Sequence, residues 1–491
     1  MFLVELILIW CVIFALWWYK RPRHPSPPVY PGALPVIGHA HQFLGDISQI
    51  WQVENDIYHF CMENGGLVEV RLGPVSVYVV SDLDDSLTIA NTCMEKPYLY
   101  GFGKKMYGCG LVTANASTWK PHRKILNPAF NQQILNTFFQ EYSLQARNLV
   151  TELATEAEKD AFDVVPYLKK TVIRSVYKTM IGVNPNDKEQ EAILKNYAHA
   201  TDTFFSLMLE RFQSVWLHLP LLYNMSGLKK KQDAVIETLK NLSKKITTIR
   251  KLELKQNINS EYVKEASSGY KSLLDQLLDG GEKQVFTDEE IREHLNTVIG
   301  AAYDTSTMTT TFCLILIGSY PDVQARIWKE LQEVLDGQER DLTRHDLPKL
   351  VYLEAVIKET LRLYPPVPRI GRCNDSEVQL KHYTFPAGTT FILSLYGMNR
   401  DPIWGKDANE FNPDRWLNPG TLPDNPNAFA AFSIGKRNCI GKQSAMMSVK
   451  TTLAYILQKY IVTGDIRNVQ CKCDLIHKPV SGHYIALQLR T

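Results

Sequence analysis

The sequence predicts a mainly α fold with small β sheets, carried on a short apolar N-terminal segment. Three observations predict it. Helical spacing of apolar residues dominates the chain, period-two alternation is confined to two short regions, and the first nineteen residues are almost wholly apolar.

Residues 1–19 come first. Phe2 to Trp18 carries one charge, Glu5, and Lys20, Arg21 and Arg23 follow the Trp17-Trp18-Tyr19 edge. Seventeen residues at 1.5 Å span roughly 25 Å, the short end of a bilayer crossing. A cleaved leader wants cations before the apolar run and a small-x-small site after it, and neither is present. The segment therefore reads as an uncleaved membrane anchor with its cationic flank in the cytosol. Residues 20–38 form a Pro-rich hinge, and residues 30–491 read as one catalytic domain without repeats.

Leu67 to Val80 alternates as a strand pair turned at Gly73-Pro74, and Val378 to Leu395 suggests a second small β region. Lys255 to Lys271 is polar and reads as a loop. Four Asn-x-Ser sequons begin at Asn115, Asn224, Asn241 and Asn374; a cytosolic domain leaves them unmodified. Thr287 and Glu290 make a capping box for a long helix whose apolar face runs through Ile291, Leu295, Val298, Ile299 and Ala302. No proline interrupts it before Pro321. Its middle, Gly300 to Ser306, is small and polar where a buried helix should be most apolar. That stretch fits a Ser/Thr-rich solvated turn, and it equally fits a surface that admits a planar ligand.

Lys plus Arg number 54 against 52 Asp plus Glu, a net charge of +2, which excludes a dedicated nucleic-acid binder. Nine scattered cysteines without C-x-x-C pairs exclude a disulfide scaffold and a zinc-finger site. One cysteine stands apart. In Phe432-Ser-Ile-Gly435-Lys-Arg437-Asn-Cys439-Ile-Gly441 two glycines suggest a tight loop whose N–H groups, with Arg437, favour the Cys439 thiolate. Phe432 is placed to pack beside a flat ligand.

This segment matches the F-x-x-G-x-R-x-C-x-G signature, and the chain resembles the cytochromes P-450 over roughly residues 30–491. The resemblance implies the single-domain P-450 fold and Cys439 as axial ligand of a haem iron, with Phe432, Gly435, Arg437 and Gly441 shaping its loop. It implies that Glu359 and Arg362 of Lys358-Glu-Thr-Leu-Arg362 lock with Arg415. Trp119 and Arg123 of Trp119-Lys-Pro-His-Arg123, with Arg372, are implied to reach haem propionates. Ala301 to Thr305 corresponds to the distal stretch, with Thr305 directed at dioxygen and Asp304 relaying protons through water. Ala302 stands where glycine is usual. Val298, Ala301, Ala302, Val367, Pro368 and Ile370 are the implied substrate-pocket wall, and each also fits plain core packing.

His122 to Phe130, Leu363 to Pro368 and Arg437 to Gly441 resemble the clan of fatty-acid ω-hydroxylases and its insect relatives. Ala301 replaces the Glu that esterifies haem in many ω-hydroxylases, so haem b is expected to be non-covalent. The implied function is monooxygenation of a lipophilic fatty acid, hormone or xenobiotic such as an insecticide, at the endoplasmic reticulum membrane with the domain facing the cytosol. Membrane lipid and a small lipophilic molecule are the implied contacts, and nucleic acid is not.

No nicotinamide or flavin motif is present; Gly101-Phe-Gly103 lacks a preceding strand and the third glycine. Electrons are expected from NADPH–cytochrome P-450 reductase, or a cytochrome b-type donor. Residues 430–491 hold nine Lys/Arg against Asp465 and Asp474, a local +7, with Lys436 and Lys442 beside the cysteine loop as docking contacts. The alternatives are a P-450-type isomerase or dehydratase of lipid peroxides and a non-catalytic membrane-tethered haem protein.

Overall fold

The computed structural model describes residues 12, 26–183, 188–258, 272–278 and 286–490. The proposed anchor, Val12 apart, lies outside them. Among the described residues no helix is long and apolar enough to cross a membrane. The fold is mainly helical with small sheets. It divides into two compact units, residues 1–97, 367–409 and 423–438, and residues 98–366, 410–422 and 439–491.

The first unit is built on a four-stranded sheet. Strands β1 (Leu67–Leu72) and β2 (Val75–Val80) form the expected hairpin, antiparallel from Leu67↔Val80 to Leu72↔Val75. Gly73 makes the turn with φ +61°, a conformation that favours glycine. Strand β4 (Thr390–Ser394) pairs parallel with β2, and β3 (Arg369–Cys373) closes the sheet antiparallel to β4. Helices α1 (Ile47–Glu63) and α2 (Leu83–Thr92) start at Asp46 and Asp82, whose carboxylates accept first-turn backbone N–H groups. The core joins Val80, Ile89, Ala90, Phe391, Leu393 and Ile434.

The second unit is a helical body. Its main helices are α3 (Ala116–Leu126), α4 (Gln132–Leu153), α5 (Val165–Val176), α6 (Lys188–Gln213) and α7 (Gly227–Ile258), then α8 (Asp288–Ser319), α9 (Pro321–Val334), α10 (Val351–Leu363) and α11 (Lys442–Lys459). Helix α7 runs into the stretch read as a loop from Lys255, keeping helix as far as Ile258. The remainder of that stretch lies outside the described residues. Helix α8 packs on α5 and on α11, and α4 packs on α11. The capping box forms as expected: Glu290 N–H donates to Thr287 Oγ1 at 3.2 Å and Thr287 N–H to Glu290 Oε2 at 2.8 Å.

Two of the C-terminal cations are not surface charge. Arg437 is buried, and Lys450 is buried against Glu354 at 3.0 Å. Lys436 and Lys442 are exposed.

Candidate haem-thiolate site

Most of α8 from Ile291 to Gly318 is buried, yet Val298, Ala301, Ala302 and Thr305 are not. Their i, i+3, i+4, i+7 spacing is a single helical face, so this stripe is one continuous opening in the cover of the helix. The polar middle of α8 is therefore not a solvated turn; the helix continues through it. Side chains on the stripe are small or hydroxylic, the shape a flat ligand needs to approach the backbone. Thr305 Oγ1 donates to the Ala301 carbonyl at 2.7 Å, satisfying the hydroxyl along the helix.

Asp304 points the other way and is buried. Its Oδ1 lies 3.8 Å from Lys169 Nζ on α5, and Lys169 donates to Asp202 at 2.8 Å. Burial raises the Asp304 pKa, opposed by the positive charges of Lys478 and Lys169. The acid and the alcohol thus face different sides of one turn. The sequence had no means of naming Lys169, Asp202 or Lys478, because they reach Asp304 only by packing.

Cys439 lies just before α11, whose N-cap is Gly441. It is exposed by surface area, yet enough protein surrounds the thiol to push its pKa up. The N–H of Gly441 and the charges of Arg123 and Lys442 act against that rise. A helix N-terminus adds to the same effect. Trp119 is buried on α3, and Arg123, one turn later, donates from Nε to Asn127 at 2.8 Å. The cations that act on Cys439 are Arg123 and Lys442.

Arg437 lies in the first unit with Arg372 and Lys96. Burial, then the charges of Arg372 and Arg437, drive the Lys96 pKa well below its usual range. Cations held together in this way fit a polyanionic ligand group. Nothing in the sequence singles out Lys96, which precedes Pro97. Gly435 has φ +69°, and a Cβ there would strike Ala90 of α2. Lys436 Nζ donates to the Asn91 carbonyl at 3.0 Å. Gly435 therefore lets the loop lie on α2. Phe432 is half-buried with its ring 6.2 Å from that of Phe429. Pro368 is buried, while Val367 and Ile370 are half-buried.

The unit that holds Cys439 also holds a buried charge network. Glu359 on α10 accepts two bonds from Arg362, at 2.8 and 2.7 Å. It also accepts from Arg415 Nε at 3.0 Å, Trp416 Nε1 at 2.9 Å and the Asn412 N–H at 3.0 Å. Glu359, Arg362 and Arg415 are all at most 3% exposed, so this is no surface ion pair.

The donor set of the second unit suits a haem: a cysteine with backbone and cationic support, and a small-residue stripe on α8. The cytochrome P450 family model matches residues 27–482. Cytochrome P450 4V2 of Mus musculus is 29% identical over 96% of this chain and 91% of its own length. Probable cytochrome P450 4s3 of Drosophila melanogaster is 31% identical over 87% of this chain and 86% of its own length. Cytochrome P450 4c21 of Blattella germanica is 28% identical over 96% and 93%. The chain belongs to the cytochrome P450 family and is a haem-thiolate monooxygenase of that family, with relatives in insects.

Proposed function

We propose that this protein is a membrane-bound monooxygenase of the endoplasmic reticulum that draws electrons from NADPH–cytochrome P-450 reductase. Its substrate is lipophilic: a fatty acid, a hormone or a xenobiotic such as an insecticide. One observation carries the reading. Thr305 lies on the uncovered stripe of α8, and Asp304 lies behind it, joined through Lys169 and Asp202 to the outside of the helix bundle.

Haem b, when bound, supplies the dioxygen chemistry. Cys439 is the thiolate that holds it. Trp119, Arg123 and Arg372 are the propionate contacts that the family resemblance implies. Ala301 offers no carboxylate for an ester link, which supports non-covalent haem. The Thr305 hydroxyl can turn from the Ala301 carbonyl to pass a proton on the stripe. Asp304, with its raised pKa, can take up the next proton from the Lys169–Asp202 side. Val298, Ala301 and Ala302 present apolar surface to the substrate; Val367, Pro368 and Ile370 are the further wall that the family resemblance implies. Exposed Lys436 and Lys442 suit an acidic reductase.

Reconstitution with reductase and NADPH, across fatty acids, terpenoid or steroid hormones and insecticides, tests the assignment. NADPH-dependent hydroxylated product is expected. Rearrangement of a lipid hydroperoxide without NADPH would instead make the protein an isomerase, which has no use for a proton relay. Asp304→Asn is expected to cut product formation about 100-fold while the thiolate-type reduced-CO band stays intact. It should also flatten the pH dependence of turnover. An unchanged profile would remove Asp304 from the relay. Ala302→Gly takes one methyl from the stripe; it should keep the haem and change the ratio of product to NADPH consumed.

A further inference from the structure

Gly108, Cys109 and Gly110 form a turn that none of the chemistry above uses. Gly108 has φ +43°, and a Cβ there would fall on the Glu293 carboxylate. A Cβ at Gly110 would fall on Thr297 Oγ1. Glycine at both positions lets this backbone lie directly on α8. The Cys109 N–H donates to Glu293 Oε2 at 2.8 Å, and Thr113 Oγ1 donates to the Gly108 carbonyl at 3.0 Å. The turn is thereby fixed beside the part of α8 that carries His294.

His294 is fully buried, and its Nδ1 has no hydrogen-bond partner among the described residues. Its Nε2 lies 3.0 Å from His122 Nδ1 on α3. Phe286 packs edge-on against both imidazoles, at 5.0 Å from His122 and 5.1 Å from His294. One ligand-type atom from each of Cys109, His122 and His294 lies within 4.8 Å of the other two.

We propose that Cys109, His122 and His294 form a zinc site separate from Cys439, with water in the fourth position. Cys-His-His is a donor set suited to Zn²⁺. With Zn–N bonds of about 2.0–2.1 Å, two tetrahedral nitrogens stand roughly 3.3 Å apart, so the imidazoles need to open by only about 0.3 Å. His122 Nε2 faces Glu290 Oε1 at 3.9 Å, the outer-shell carboxylate that commonly orients a ligating histidine. Glu290 is itself fixed by the capping box. The Cys109 thiol hydrogen-bonds to Glu293. Binding replaces the S–H bond by S–Zn and releases one proton to solvent by way of Glu293; no electron moves. Zinc would brace the 108–110 turn, α3 and α8, the helices that carry Trp119, Arg123 and Thr305.

The test uses untagged, haem-loaded, full-length protein, stripped with chelator and then dialysed against zinc chloride. One zinc per chain should remain. Zinc-edge X-ray absorption should show one sulfur at about 2.3 Å and nitrogens at about 2.0–2.1 Å. Zinc should protect Cys109 from iodoacetamide, read by peptide mass spectrometry on the wild-type chain. Cys109→Ser and His122→Gln should each lose the retained zinc while keeping the thiolate-type reduced-CO band. Glu290→Gln should weaken zinc binding about 10–100-fold. Zinc held equally by Cys109→Ser and His122→Gln, no zinc held by wild type, or absorption without a sulfur ligand overturns the site.

Discussion

Glu359→Gln destabilises this protein by about 3–5 kcal/mol, the cost of leaving buried charges without their counter-charge. Five hydrogen bonds from Arg362, Arg415, Trp416 and Asn412 converge on the two oxygens of one carboxylate. Arg362 also donates to the Glu410 carbonyl at 3.0 Å, so the network ties α10 to the 410–416 segment. An amide keeps the shape but removes the negative charge and turns one acceptor into a donor facing donors. A urea titration should show the midpoint falling with an unchanged slope, together with loss of the reduced-CO band. A variant with the wild-type midpoint would reduce the network to a packing feature. Glu359→Asp should fail in the same direction, because the shorter side chain cannot serve both arginines at these distances.

The parts of the fold that were legible in the sequence are those fixed by local chemistry. Thr287, Glu290 and Pro321 bound α8, which runs from Asp288 to Ser319. Alternation and Gly73 set the β1–β2 hairpin to its register. The pairing of Glu359 with Arg362 follows from i, i+3 spacing on α10. What stayed hidden depends on packing between distant segments. Lys96 precedes a proline in an unremarkable loop, and only the fold gathers it with Arg372 and Arg437. Lys169 reads as a solvated lysine of α5 until α8 brings Asp304 to it. Gly435 and Gly441 look equivalent in the sequence. The backbone separates them: positive φ and contact with Ala90 for one, an N–H bonded to Cys439 for the other.

Cys439→Ser should abolish the thiolate-type reduced-CO band and all NADPH-dependent product while leaving the Glu359 network and the urea midpoint of the haem-free chain in place. Only the sulfur distinguishes the variants, so retention of a normal thiolate band would place the axial ligand elsewhere. The electrostatics of the loop allow a finer test. Burial raises the proton affinity of Cys439, and the Gly441 N–H, Arg123 and Lys442 lower it. A haem iron held by Cys439 would compete with that proton. Removing a cation therefore strengthens the proton's hold, and the acid conversion of the thiolate band should move to higher pH. Lys442→Gln is the clean variant, because Lys442 is exposed and its loss leaves no buried hole. Its shift should be small and should shrink further in high salt, since an exposed charge is screened. Arg123→Gln, half-buried and closer to the protein interior, should shift the conversion in the same direction, by more, and with less sensitivity to salt. A shift to lower pH in either variant would mean that the cations do not support the thiolate, leaving the Gly441 N–H and the N-terminus of α11 as its support.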